Sequence, residues 1–373
     1  YYETIKDANA VLVRLPDLRS RLSSAEQLQL DYLAGEAKTL KALSYLQLLQ
    51  LFATPYDDAE HTGGIILKDR VEREELPRST KAETVQAIER LLKEALTAFD
   101  TTTRPPYGSA PGFVNAATAR ALLARLYLYT GDWAKAEEVT RTLVPTTLST
   151  SMIPTTPLAW TQGTSAVALF ASSVPVTYYN SIYAQAKSAT NATYQLPQRS
   201  YLASTDLRHR SYALDSTLQV DATTTRSLQI IGKYAAFLFA GGLPSYNCVV
   251  RTTEPIFLRA EALARSGDET AARDLLNSYL RLVGADEVAS TVTGSALINA
   301  IIAEKAREFA GEGLRFFDLK RLGLPIEHYT PNEERVSLTL PAGSYKRTLP
   351  LPASERSNKN LGAQNPGWPE LTH

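Results

Sequence analysis

The sequence predicts a mainly α-helical protein of antiparallel helical hairpins, interrupted by a large irregular insertion carrying short strands. Three observations predict it. Apolar residues recur at helical steps through most of residues 1–145 and 251–330. One hairpin sequence occurs twice, far apart in the chain. Between the copies, residues 146–250 turn rich in Thr, Ser, Tyr and Pro and lose the helical period. The expectation is a single domain over 1–373, with a helical scaffold at 1–145 and 251–330, a variable insertion at 146–250 and C-terminal coil at 331–373.

Taken in order, Tyr2 to Leu15 carries Ile5, Ala8, Leu12 and Leu15 on one stripe. A long helix is expected from Ser24 to Phe52. Its second half, from Leu43, is apolar on several sides and should lie deep in the core. Thr54-Pro55-Tyr56-Asp57-Asp58 stops it. After Gly63–Gly64 comes a strand-like piece, Ile65–Ile66–Leu67. Thr80 and Glu83 form a capping box for a helix with Val85, Ile88, Leu92, Ala95 and Phe99 on one face. Another helix runs from Asn115 to Thr130. Gly131 turns the chain, and Asp132 caps a helix that ends near Val144. Val167–Phe170 and Gln229–Tyr234 read as short strands. Helices resume near Glu254 and continue to about Leu322.

The repeat pairs Ala124, Gly131, Asp132 and Ala136 with Ala260, Gly267, Asp268 and Ala272 at equal offsets. Small residues let two helices approach closely, glycine supplies the C-terminal turn, and aspartate caps the next helix. This is the logic of a tetratricopeptide (TPR) hairpin, here in a discontinuous array. Tyr127, Tyr129 and Trp133 fall at its packing positions and are expected in the core.

Composition excludes several function classes. Lys+Arg (39) and Asp+Glu (39) cancel, so no basic surface for nucleic acid is expected. The single Cys248 excludes an internal disulfide and a cysteine zinc site. It reads as a small buried residue. The four histidines show no metal-binding or triad spacing. No run of about 18 apolar residues could span a membrane. The chain opens at Tyr1-Tyr2-Glu3, already inside a helical pattern, so any targeting signal is expected upstream.

Four blocks, in order, then carry a family resemblance. They are Glu36–Tyr45 with the following Leu51-Phe52 and Pro55-Tyr56, Arg120–Trp133, Glu304–Arg321, and Leu349-Pro350-Leu351-Pro352 with Gln364-Asn365-Pro366-Gly367-Trp368. With these the chain resembles the SusD/RagB family of outer-membrane nutrient-binding lipoproteins. The resemblance implies a SusD-like α-α superhelix with four discontinuous TPR-like units and no catalytic step. It implies a lipid-anchored protein on the extracellular face of the outer membrane. There it would capture oligosaccharide or peptide and act as lid to a SusC-like TonB-dependent barrel. The family's signal peptide, lipidated cysteine and leading segment have no counterpart in this chain.

Candidate site residues are weighed on their chemistry. Glu304, Glu308, Glu312 and Asp318 suggest paired catalytic carboxylates. Glu308 and Glu312 are like charges one turn apart, however, Gly311 and Gly313 should break the helix, and Arg307, Arg315 and Arg321 can neutralise the acids. A structural ion network is the plainer account, and no catalytic residue or enzyme activity is expected. Asp57, Asp58, Glu60 and His61 offer hard oxygens that could hold Ca²⁺, without an EF-hand spacing. A solvated loop is the simpler reading, and no cofactor is expected.

The insertion holds the stronger signal. Trp160, Tyr178, Tyr179, Tyr183, Tyr194, Tyr201, Tyr212 and Tyr246 lie among Asn180, Gln185, Asn191, Gln195, Gln198 and Arg199. Aromatic faces cover sugar C–H surfaces, and amides or guanidinium satisfy hydroxyls. The ligand site is therefore expected at Trp160, Tyr178, Tyr179, Asn180, Tyr183, Tyr194, Arg199 and Tyr201. The same inventory would suit an extended peptide. A TPR scaffold that binds only protein partners is the alternative from another class.

Overall fold

Helical spacing in the sequence becomes ten α-helices among the described residues. A computed structural model describes residues 1–100, 111–156, 159–160, 164–174, 202–219, 222–234, 245–329 and 336–370. The helices are α1 (Tyr2–Arg19), α2 (Ser24–Phe52), α3 (Lys81–Asp100), α4 (Ala116–Thr130), α5 (Trp133–Thr140), the single turn α6 (His209–Tyr212), α7 (Glu254–Arg265), α8 (Glu269–Val283), α9 (Gly294–Glu308) and α10 (Arg315–Arg321). The chain is mainly α, as its sequence predicts. Among the described residues no helix is long and apolar enough to cross a membrane.

Local signals place the helix ends. Ser23 opens α2 with a capping box to Glu26. Thr80 and Glu83 do the same for α3, through Thr80 N–H to Glu83 Oε2 (2.8 Å) and Glu83 N–H to Thr80 Oγ1 (3.1 Å). The two repeat copies are the hairpins α4/α5 and α7/α8. In both, a left-handed glycine ends the first helix (Gly131 φ 79°, Gly267 φ 94°). In both, an aspartate side chain caps the second, Asp132 on the N–H of Lys135 and Asp268 on that of Ala271. Tyr127 and Tyr129 are buried in the first hairpin, and Trp133 is half-buried with Arg265 over its ring.

Among the described residues, two buried apolar clusters form the core. The first joins α1 to α5, with Tyr45, Leu46, Leu49, Ile88, Leu92 and Leu122 at its centre. The second joins α7, α8 and α9 to part of the insertion. Helix α7 belongs to both: Leu258 and Ala262 face the first, while Ile256, Phe257 and Ala260 face the second.

Among the described residues, three two-stranded antiparallel ladders accompany the helices. Strands β1 (Ala168–Val174) and β4 (Ser245–Arg251) bring the two ends of the insertion side by side, with Ala171 opposite Cys248 and Ser172 opposite Asn247. Strands β2 (Ala213–Gln219) and β3 (Thr225–Ile231) form a hairpin within it. Strands β5 (Ile326–Tyr329) and β6 (Val336–Leu340) pair near the C-terminus.

Four expectations need correction. The coil expected from 331 contains β6, whose Val336, Leu338 and Leu340 alternate at the strand period. Ile65–Ile66–Leu67 forms no strand: backbone pairing with residues 79–81 stops at Ile65, and the only bridge there is the isolated one from Gly63 to Thr80. Helix side chains take the carbonyls that a sheet would have used: Tyr2 bonds Ile66 O, while Asn9 and Tyr45 bond Lys68 O. Helix α1 continues past Leu15 to Arg19, through Pro16. Helix α5 stops at Thr140, whose hydroxyl turns back to Ala136 O.

The C-terminal end of α2 is covered by residues distant in sequence. Lys320 Nζ donates to Gln50 O (2.8 Å) and Ala53 O (2.7 Å). Arg78 and Asn365 both donate to Phe52 O, and Leu349 N–H donates to Leu51 O. Cations at this end match the negative pole of the helix dipole.

Candidate functional site

The insertion is tied to the scaffold by a buried ionic network. Three of its cations come from insertion elements: Arg208 just before α6, Lys233 after β3, and Arg251 at the end of β4. Their main partners, Glu304, Glu308 and Glu312, stand at the end of α9 and in the turn beyond it. Arg251 meets Glu308 at 2.7 Å and Glu312 at 3.2 Å. Arg208 meets Asp206 at 2.6 Å, Glu304 at 2.7 Å and Glu308 at 3.3 Å. Lys233 pairs with Glu312 and donates to Glu308 O. Hydroxyls of Tyr212, Thr253 and Tyr279 also donate to the Glu308 carboxylate.

Glu308 is fully buried, and burial alone would raise its pKa. Arg251, Arg208 and Lys233 outweigh that and hold it at about 2. Lys233 moves the other way. Burial pushes it down to about 8, despite the opposing charge of Glu312.

Asp318 lies in the same signature string but faces elsewhere. It pairs with Lys305 (2.9 Å) and Arg321 (2.7 Å), and Arg321 bridges on to buried Glu261 at 2.6 Å. Burial would raise its carboxyl, and the two cations bring it to about 2. The expected ion network is therefore present, with one correction. Cations of the insertion, and not Arg315 or Arg321, neutralise Glu308 and Glu312. Their carboxylates are held inside ion pairs and hydrogen bonds.

Of the expected ligand contacts, Tyr178, Tyr179, Asn180, Tyr183, Tyr194, Arg199 and Tyr201 lie outside the described residues, as do Gln185, Asn191, Gln195 and Gln198. Trp160 is described, and only 5% of it is exposed. Its ring packs edge-on against Tyr212 (5.3 Å) with the Arg251 guanidinium 5.0 Å from its centre. Tyr212 is 1% exposed, beneath the Lys233 ammonium. Trp160, expected at a ligand face, and Tyr212, from the same aromatic inventory, pack the insertion onto the scaffold. Cys248, expected buried, is only partly so: it packs against the second cluster, and desolvation pushes its thiol up to about 12.

Beside the network a cleft of about 450 Å³ opens between the turn before α6 and helices α8 and α9. Asp206, Arg208, Leu276, Leu280, Glu304 and Arg307 are among its lining residues. It was not foreseen from sequence, because its walls come from segments far apart in the chain.

The acidic loop after α2 uses its oxygens internally. Asp58 accepts from the N–H groups of Glu60 and His61 and pairs with the His61 ring at 3.0 Å. Lys81 Nζ donates to Thr54 Oγ1, Pro55 O and Asp58 O, so an ammonium sits where these oxygens converge. Among the described residues no group of three or more His, Cys, Asp or Glu is placed to hold a metal ion.

Comparison with known proteins follows the same architecture. The profile of the SusD family matches residues 176–368. A second profile, described as "Starch-binding associating with outer membrane", matches residues 1–128. No curated protein matches the chain. Among solved structures, a SusD superfamily protein from Bacteroides vulgatus is 22% identical over 98% of this chain and 84% of its own, with a TM-score of 0.78. A SusD superfamily protein from Bacteroides thetaiotaomicron is 21% identical over 98% and 84%, with a TM-score of 0.76. A SusD-like carbohydrate binding protein from Bacteroides vulgatus is 18% identical over 96% and 82%, with a TM-score of 0.74. At these identities the structural likeness speaks to fold, and the helical frame is the one that these proteins share. The first profile covers just over half of the chain, including the Glu304–Arg321 string and the closing Asn365-Pro366-Gly367-Trp368, and the chain belongs to the SusD family.

Proposed function

We propose that the protein is a cell-surface nutrient-binding protein that captures an oligosaccharide and passes it to a SusC-like TonB-dependent transporter. Family membership, with a starch-binding, outer-membrane family matching residues 1–128, is the observation that carries this reading. The ionic network supports binding over catalysis, because the carboxylates most like an acid–base pair are buried in ion pairs. The insertion supplies the ligand contacts, through Tyr178, Tyr179, Asn180, Tyr183, Tyr194, Arg199 and Tyr201. A lipid anchor upstream of Tyr1 holds the protein at the extracellular face.

A disaccharide at about 0.3 kcal/mol per heavy atom gains roughly 6–7 kcal/mol, which gives a Kd on the order of tens of micromolar. Weak capture suits a protein that must also release its cargo. Isothermal titration calorimetry against glycan and peptide panels tests the reading. Micromolar binding of a glycan, weakened at least tenfold by Tyr178→Ala with Tyr179→Ala, is expected. Binding of peptides alone would select the peptide alternative, and no binding at millimolar ligand would refute direct capture.

A further inference from the structure

Away from the insertion, a cleft of about 350 Å³ lies between the loop that leaves α2 and the segment after β6. That volume is at the small end of the range for ligand sites, about 300–1,000 Å³. The loop contributes Asp57, Asp58 and His61, and the segment contributes Ser344, Tyr345 and Thr348.

Tyr345 is 42% exposed, yet its ring is fixed from behind. It lies against Gly367, where a Cβ would stand 2.4 Å from Tyr345 Cγ. Trp368 meets it edge-on at 5.1 Å and 89°, and Trp368 is itself pinned by its Nε1–H to Thr348 O at 2.8 Å. The facing loop is equally set, by Lys81 and by the Asp58–His61 pair. Two polar groups on that loop make no hydrogen bond or salt bridge among the described residues: the Asp57 carboxylate, which acts on Lys81 only at a distance, and His61 Nε2.

The charge around the cleft narrows the choice of ligand. Arg347 lines the cleft and Lys81 stands behind its loop wall, donating to Pro55 O and Asp58 O; both donate to carbonyls, and neither is salt-bridged among the described residues. They oppose a metal ion or a cationic ligand. Asp57 and Asp58 on the wall oppose an anion. A neutral, hydroxyl-rich ligand meets neither objection. It needs an aromatic face for its C–H surface and a carboxylate or imidazole for its hydroxyls.

We infer that this cleft is a carbohydrate subsite separate from the insertion, with Tyr345 as stacking platform and Asp57 and His61 as hydroxyl partners. The inference rests on the glycan-binding reading for its ligand class, and the test separates the two. Maltoheptaose and cellohexaose are titrated into the full chain while the Trp368 indole N–H resonance is followed by NMR, alongside calorimetry. Tyr345→Leu keeps bulk against Gly367 and Trp368 but removes the aromatic face, and its melting temperature reports that the fold survives. Asp57→Asn is a second variant that leaves the packing alone.

One of the saccharides is expected to shift the Trp368 resonance. Tyr345→Leu is expected to abolish that shift, Asp57→Asn to weaken it at least fivefold in affinity, and Tyr178→Ala with Tyr179→Ala to leave it intact. Calorimetric binding with an unmoved Trp368 resonance overturns the subsite and leaves the insertion reading standing. A shift that persists unchanged in Tyr345→Leu also overturns it. A Trp368 shift with no binding event sensitive to Tyr178 and Tyr179 supports the subsite and removes the insertion contacts. No binding of either saccharide at 20 mM, on the order of the weakest useful capture, overturns both.

Discussion

Replacing Glu308 with glutamine isolates the charge at the junction of insertion and scaffold. The amide keeps an acceptor for Tyr212 and Thr253 but removes the negative charge that Arg208 and Arg251 share. In the native network four cations (Arg208, Lys233, Arg251, Arg307) face four carboxylates (Asp206, Glu304, Glu308, Glu312). The variant leaves one buried cation uncompensated. Breaking a buried pair in this way costs about 3–5 kcal/mol. At about 2.1 cal/mol/K of unfolding entropy per residue, a chain of 373 residues should melt about 4–6 °C lower.

Differential scanning calorimetry at pH 7 reads that shift. The pH dependence adds a sign. The native Glu308 carboxyl sits at about 2, below its ordinary value of 4.5, so its contribution is present above pH 4.5 and fades as pH falls toward 2. The gap between wild type and variant should therefore narrow in acid. Adding Arg251→Met to Glu308→Gln should cost at least 1 kcal/mol less than the two single variants summed, since both charges then leave together. A melting shift under about 1 °C, or a double variant that is strictly additive, would refute the reasoning.

Two further predictions concern the end of α2. Asn365→Ala removes donors to Phe52 O (2.8 Å) and Leu349 O (2.7 Å) and an acceptor for Arg78, and should lower stability by about 2–3 kcal/mol in urea unfolding; a change below about 0.5 kcal/mol would contradict it. Lys320 is pushed down to about 7, chiefly by burial and then by Arg347 and Lys81. Below pH 7 both states carry the proton. As pH rises from about 7 toward 10.5 the folded state loses it first, so stability should rise across that window. Lys320→Met should flatten the rise between pH 7 and 9 in urea midpoints, and parallel curves for the two proteins would sink the assignment.

Much of the frame was legible in sequence because its signals are local. Gly131 and Asp132, repeated at Gly267 and Asp268, act within one turn of the helices they end and begin. The capping box at Thr80 and Glu83 is likewise self-contained. The partners of Glu308 were not legible. Arg208 and Arg251 lie 100 and 57 residues away, and no periodicity encodes such a pairing. Composition also could not separate an aromatic that faces a ligand from one that packs, so Trp160 read as a binding residue and proved interior. Tyr345 carried no signal of its own. Its ring rests on the backbone of Gly367, where a Cβ would stand 2.4 Å from Tyr345 Cγ, so only a residue without a Cβ leaves room for it.

The ladder between β1 and β4 has a consequence for how such proteins diversify. It gives the long excursion one doorway, entered and left at adjacent positions. Doubling the length of chain beyond that doorway adds only about 0.6 kcal/mol of closure entropy. Segments can therefore be exchanged there provided the graft keeps Arg208, Tyr212 and Lys233, which satisfy Glu304, Glu308 and Glu312 on the helical chassis, and the doorway is then the natural splice point for grafting one relative's recognition segment onto another.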